Sequence, residues 1–199
     1  MRLVLASESP RRRELLKLLV SEFDAVSSDA RELTLAECRS PEELVKNNAW
    51  RKAQAVADDF PEAWVLGADT VIEYNNLVYG KPRDLAEAAQ FLRTFSGREH
   101  KVLTGVALIN AAGKKSDCFV AESKVRFRTL NDDLIDEYLS LVPVLDKAGA
   151  YGIQDHGEML VESVDGELEN IIGLPVAALA VRLNHWGIKT PEYPAGARG

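Results

Sequence analysis

The chain has 199 residues, 46% hydrophobic and 28% charged, with 13 Gly, 8 Pro and 2 Cys, a mix that excludes disorder, a collagen-like repeat and a disulfide scaffold. Its 24 Lys and Arg against 31 Asp and Glu give a formal net charge of −7, which excludes a general attraction to nucleic acid or anionic lipid. An anionic ligand therefore needs a local basic site.

The elements follow in chain order. Residues 2–6 predict a short buried strand, and Ser9-Pro10 supplies a cap followed by proline at the first helical position, opening a helix through Leu15, Leu18 and Leu19. Ser40-Pro41-Glu42-Glu43 repeats the device with a capping-box Glu. This second helix carries Val45, Ala49, Ala53 and Val56 inward and ends near Asp58-Asp59. The short apolar run Trp64 to Ile72 predicts a central strand, turning at Asn75-Asn76 into Leu77-Val78-Tyr79 and ending at Lys81-Pro82. Asp84 and Glu87 cap a third helix with the stripe Leu85, Ala88, Ala89, Leu92 and Phe95, stopped by Ser96-Gly97.

Val102 to Ile109 and Cys118 to Phe127 form a long hairpin across 111–115, and Asn131 caps a helix through Leu134, Ile135, Tyr138 and Leu139. Met159 to Val164 and a final helix from Pro175 close the pattern. Strands joined by hairpins among interleaved helices predict an α/β fold with a mixed sheet and a long, curved antiparallel part. One domain over 1–189 is expected, with 190–199, rich in Pro and Gly, as a flexible tail. No stretch approaches the roughly 20 apolar residues of a membrane span, and the apolar start gives way at once to Ser7-Glu8-Ser9, so no membrane association and a cytoplasmic location are expected. Cys38 and Cys118, with no CxxC and no nearby His, read as reduced thiols.

Four features point to chemistry. Around the first helix N-terminus, Ser7 and Ser9 stand with Arg11, Arg12 and Arg13, and exposed amides there favour an anion. Alternatively the arginines point into solvent or pair with Glu14. Lys52 falls on the inward stripe of its helix, either aimed at an acid or snorkelling at the stripe edge, and Lys81 is a cation at a hairpin end. Asp69 lies mid-strand among apolar and small residues, where a carboxylate must be hydrogen-bonded, paired, metal-bound or raised in pKa. In the small-residue loop 146–154, Tyr151 offers a ring to a base, or a packed turn, and Gln154 an amide to a base edge. There is no Walker A, GxGxxG, HExxH or GxSxG pattern, which leaves phosphate chemistry by Arg and Lys clamps, carboxylates and a metal.

Taken together, Leu5-Ala6-Ser7-Glu8-Ser9-Pro10-Arg11-Arg12, Lys52, Gly67-Ala68-Asp69-Thr70-Val71, Lys81-Pro82, Ser96-Gly97-Arg98-Glu99-His100, Thr104-Gly105-Val106, Asp146 to Gln154 and Gly173-Leu174-Pro175 resemble the Maf family of nucleoside triphosphate pyrophosphatases, in order from residue 3 to about 185. The resemblance implies an inosine-triphosphatase-like fold with two lobes around a cleft, often a homodimer, and divalent-metal-dependent (Mg²⁺ or Mn²⁺) cleavage of a nucleoside triphosphate. It implies Asp69 as proton acceptor, Ser7, Arg12, Lys52 and Lys81 as phosphate contacts, and Glu32 with Asp69 at the metal. Arg11, Thr70 and Gln154 match the positions associated with substrate choice in the dTTP/UTP branch. The alternatives are a modified nucleotide such as 7-methyl-GTP, or a nucleotide-binding regulator of cell division with little catalysis. Two departures flank the loop: Val142-Pro143-Val144-Leu145 precedes Asp146 where the family usually has Glu-Pro, and Asp155-His156-Gly157 is slightly longer than usual.

Overall fold

The computed structural model describes residues 1–193. Within them one seven-stranded sheet runs in the order β2-β1-β3-β5-β6-β7, with β4 paired to β3. Strand β1 (Leu3–Ala6) is flanked in parallel by β2 (Asp24–Val26) and β3 (Trp64–Tyr74). The crossovers are helices α1 (Pro10–Lys17) and α2 (Pro41–Ala57), capped as expected: Ser9 Oγ accepts from Arg12 N at 3.4 Å and Ser40 Oγ from Glu43 N at 3.2 Å. Helix α1 stops at Lys17, short of the predicted Leu19. Strand β2 is new: three residues without an apolar run leave no period to detect.

The remaining partners are antiparallel. Strand β3 turns through Asn75 and Asn76, at φ 52° and 61°, into β4 (Leu77–Tyr79), and pairs on its other side with β5 (Glu99–Asn110). Then follow β6 (Lys115–Phe127) and β7 (Val161–Asp165). Helix α3 (Leu85–Phe95) lies between β4 and β5, and α4 (Asp132–Leu141) between β6 and β7. Helices α5 (Leu168–Ile172) and α6 (Val176–His185) end the pattern, and α5, at five residues, is too short to show a helical period in the sequence.

Alternation along the central strands sorts the core. Leu3 and Leu5 of β1 with Trp64, Leu66 and Ala68 of β3 face α1 and α6, while Val4, Ala6 and Val65 face Ala49, Ala53 and Val56 of α2. On the α1 face a second cluster, Ile72, Val102, Val125 and Phe127 beneath α3 and α4, lies beyond Thr70 and Thr104. These two threonines interrupt the apolar surface between the clusters, and the cleft between the two packed halves opens there. No helix among the described residues is long and apolar enough to cross a membrane.

The tail expected from residue 190 is tied down at its start. Thr190 exchanges hydrogen bonds with the Asn184 side chain, and the Tyr193 hydroxyl donates to Glu169 Oε1 while its ring packs on the α1–α6 core. The remainder, 194–199, lies outside the described residues. Cys38 and Cys118 are free, half-buried thiols.

Candidate active site

A cleft of about 760 Å³, a common size for a small-molecule site, opens at the carboxyl end of β1. Strand β1 sends its chain to β2 on one side, and the chain from β2 returns to β3 on the other. Crevices outside the carboxyl ends of strands at such a reversal are where ligands bind in α/β sheets. Beyond Leu66, strand β3 has no β1 residue beside it, so Asp69 and Thr70 stand open at this end.

Because consecutive strand residues face opposite sides, Asp69 meets α2 and Thr70 meets α1. Asp69 is only 6% exposed. Its Oδ1 accepts from Lys52 Nζ at 2.6 Å, and its Oδ2 from Asn48 Nδ2 at 3.2 Å. Lys52 also reaches Glu32 Oε1 at 2.7 Å, so one ammonium joins two carboxylates. Lys52 is thus an inward, paired lysine and does not snorkel. Burial works to raise the Glu32 carboxyl, but the hydrogen bond and charge of Lys52, with Lys81 and Arg12, hold it below its ordinary value.

On the other face the Arg12 guanidinium is fixed on three sides. Its Nε donates to Gly173 O at 2.9 Å, one NH₂ to Thr70 Oγ1 at 3.0 Å and the other to Ser7 Oγ at 3.4 Å. Burial lowers its pKa, and the charges of Asp69 and Glu32 oppose that shift. Thr70 in turn shares a 3.0 Å hydrogen bond with Thr104, whose hydroxyl donates to Asn170 O at 3.2 Å. Arg11 does not pair with Glu14, which takes Lys17 instead. It crosses the cleft to Asp146, at 2.8 Å to Oδ2 and 3.2 Å to the backbone oxygen. Lys81 is exposed on the cleft wall and makes no ion pair among the described residues.

Ser7, Arg11, Arg12, Glu32, Lys52, Asp69, Thr70, Lys81 and Gln154 all line this one cleft, whereas Arg13 of the same arginine run is exposed and does not. Gln154 is exposed on its wall. Tyr151 is not a stacking platform: it is buried against Phe127 and His100, and its hydroxyl meets His100 Nε2 at 2.9 Å. Burial among these aromatic rings pushes the Tyr151 phenol up and His100 down to about 3.

Asn48 is the functional neighbour missed in the sequence. Its amide is 3% exposed and clips Leu33, accepting from Leu33 N at 2.7 Å and donating to Leu33 O at 3.3 Å, which holds the adjacent Glu32 toward Lys52. The signal was present as a polar residue beside Val45 and Ala49 on the buried stripe, one helical turn before Lys52.

Similar proteins bear on this arrangement. The Maf family, described as "Maf-like protein", matches residues 2–186. Among curated relatives, the "dTTP/UTP pyrophosphatase" of Geobacillus sp. (strain WCH70) is 44% identical over 175 residues, covering 88% of this chain and 92% of the relative. That of Akkermansia muciniphila is 44% identical over 186 residues, 94% and 97%. That of Clostridioides difficile (strain 630) is 42% identical over 179 residues, 90% and 92%.

Proposed function

The chain belongs to the Maf family, and from that premise we propose that it is a nucleoside triphosphate pyrophosphatase that cleaves dTTP and UTP to the monophosphate and pyrophosphate in this cleft. The observation that carries the reading is Asp69, buried mid-strand and held by Lys52 and Asn48 beside the fixed Arg12 guanidinium. The triphosphate lies along Ser7, Arg12, Lys52 and Lys81, whose cations match its charge. Asp69 accepts a proton from water as the water oxygen bonds to the α-phosphorus. The bond from that phosphorus to the bridging oxygen breaks, and pyrophosphate leaves with the electron pair. Positioned cations stabilise the charge developing on it, the largest catalytic contribution in many enzymes.

The donor set suits a divalent cation. Glu32 and Asp69 present two carboxylates: Lys52 engages one oxygen of each, and Asn48 donates to the other oxygen of Asp69. Among the described residues no cluster of three His, Cys, Asp or Glu side chains could hold a metal alone. One or two carboxylates completed by substrate phosphates is the set Mg²⁺ takes. When bound, it supplies neutralisation of the phosphate charge.

At the other end of the cleft, the Gln154 amide can pair with the carbonyl and imide edge of uracil or thymine. Arg11 and Thr70 border the phosphate end, on either side of Arg12. Incubation with dTTP, UTP, CTP, GTP and 7-methyl-GTP in Mg²⁺ or Mn²⁺ should release pyrophosphate fastest from dTTP and UTP. Release from none of them would leave a nucleotide-binding regulator, and release from 7-methyl-GTP alone would move the protein to another substrate. Asp69→Asn should cut turnover by about 10²–10⁴-fold with the fold intact. Near-normal release in that variant would sink the assignment of the base.

A further inference from the structure

Lys147 is a buried cation that the proposed chemistry does not use. Its side chain is 6% exposed, yet it lies on the loop that carries Gln154. A lysine so buried must saturate its ammonium, and here three acceptors surround Nζ: Pro143 O at 2.7 Å, Asp146 Oδ1 at 2.9 Å and Asp155 Oδ2 at 3.5 Å. The two carboxylates stand at the two ends of the segment 146–155, so one charge closes it.

The closed segment is built around Gly152. A Cβ there would come within 2.4 Å of Asp155 Oδ2 and 2.9 Å of Lys147 Cε, so the ion pair lies directly on the glycine backbone. Beneath, the Tyr138 hydroxyl accepts from Gly152 N at 3.1 Å. Non-glycine residues at positive φ, Ala150 at 62° and His156 at 55°, bracket its 151–155 part, a conformation that persists only where the surroundings over-determine it. Gln154 therefore hangs between a pinned residue, Gly152, and a paired one, Asp155. On the far side, the second oxygen of Asp146 takes Arg11 of α1 at 2.8 Å, which joins this segment to the phosphate end of the cleft.

We propose that Lys147 is a positioning residue for base recognition: with Asp155 and Asp146 as counter-charges, it fixes where the Gln154 amide meets the nucleobase. The proposal rests on the reading that Gln154 contacts the base. A clamp that only stabilised the loop would change melting temperature and affect every nucleotide alike. A positioning role changes discrimination between bases, through KM.

The test measures kcat and KM of the full chain on dTTP, UTP, CTP and GTP for Asp155→Asn, Lys147→Met, Gln154→Ala and the double variant Gln154→Ala with Asp155→Asn. Asp155 is partly exposed, so Asp155→Asn carries the test even if Lys147→Met does not fold. In Asp155→Asn, KM for dTTP and UTP should rise about tenfold, the preference over CTP should fall by a similar factor, and kcat should stay within about twofold. The double variant should lose no more discrimination than Gln154→Ala alone. If Gln154→Ala flattens the preference while Asp155→Asn and Lys147→Met leave it intact, or lower all nucleotides equally, the positioning role is overturned and the base reading stands. If Gln154→Ala leaves the preference unchanged, the base reading falls and the positioning role with it.

Discussion

At the residue scale, the site works because each carboxylate is restrained by a group of its own kind of chemistry. Lys52 supplies charge to Asp69 and Glu32, whereas Asn48 supplies geometry, tying Asp69 to the backbone beside Glu32. Replacing Asn48 by Leu preserves volume but leaves the Leu33 amide and one Asp69 oxygen without their partner. Stability should fall by about 1–3 kcal/mol, the penalty of orphaned buried polar groups, and turnover should drop about tenfold as Glu32 loosens. Urea titration and pyrophosphate release would check the two effects separately. His100 offers a second prediction. Enclosed by Phe95, Phe127 and Tyr151, it titrates near 3 when folded against an ordinary value of 6.5. Between these values the unfolded chain binds the proton and the folded one does not, so stability falls as pH drops from about 6.5 toward 3, at up to about 1.4 kcal/mol per pH unit from this group. Above 6.5 it contributes no slope. The difference in urea midpoint between pH 7 and pH 5 should therefore be smaller in His100→Phe than in the parent chain, and an equal difference would assign the acid sensitivity elsewhere.

At the element scale, α2 is the part that places the chemistry, and two glycines decide how close it lies. A Cβ on Gly67 of β3 would stand 2.2 Å from Ala49 O and 2.7 Å from Ala53 N, and one on Gly105 of β5 would stand 2.2 Å from Val45 O. Both approaches are to helix backbone, which cannot swing aside as a side-chain tip can. Gly67→Ala must therefore push α2 outward, and Lys52 and Asn48 move away from Asp69 with it. We expect a loss of about 1–3 kcal/mol or more, together with a fall in kcat larger than the loss of folded protein explains, read by thermal unfolding and by activity per folded molecule. The same element shows what was legible in the sequence. The cap Ser40-Pro41, the apolar stripe and an inward Lys52 follow from helical period, and Asp69 was conspicuous as an acid in an apolar strand. Asn48 is not legible in the sequence because a lone polar residue on a stripe has no partner visible at a distance of 21 positions. The Asp146 partner of Arg11 is hidden for the same reason, since it lies 135 positions away, and the local alternative to an anion, Glu14, takes Lys17 instead. Strand β2 and helix α5 are shorter than the periods by which elements are recognised.

At the scale of the whole molecule, the net charge of −7 is unevenly distributed: residues 116–170 hold 13 acidic and 4 basic side chains, while at the cleft five cations, Arg11, Arg12, Lys52, Lys81 and Lys147, balance the five carboxylates Glu8, Glu32, Asp69, Asp146 and Asp155. The end of the described chain takes part in that arrangement although composition alone suggested a free tail from residue 190. Tyr193 packs on the α1–α6 core and donates to Glu169 of α5, and α5 runs directly into Gly173, whose carbonyl holds Arg12 Nε at 2.9 Å. The Tyr193 contact and the carbonyl that holds the guanidinium thus sit on one short helix and its cap. Tyr193→Phe removes the hydroxyl and keeps the ring, and should cost about 1 kcal/mol, or about 2–4 °C in melting temperature for a chain of this size. Tyr193→Ala loses the packing as well and should fall further. If α5 transmits the contact to Gly173, both variants should also raise KM for dTTP and UTP alike, because a looser Arg12 weakens the phosphate end without altering choice of base. A lower melting temperature with unchanged KM would confine Tyr193 to stability and separate the tail from the site.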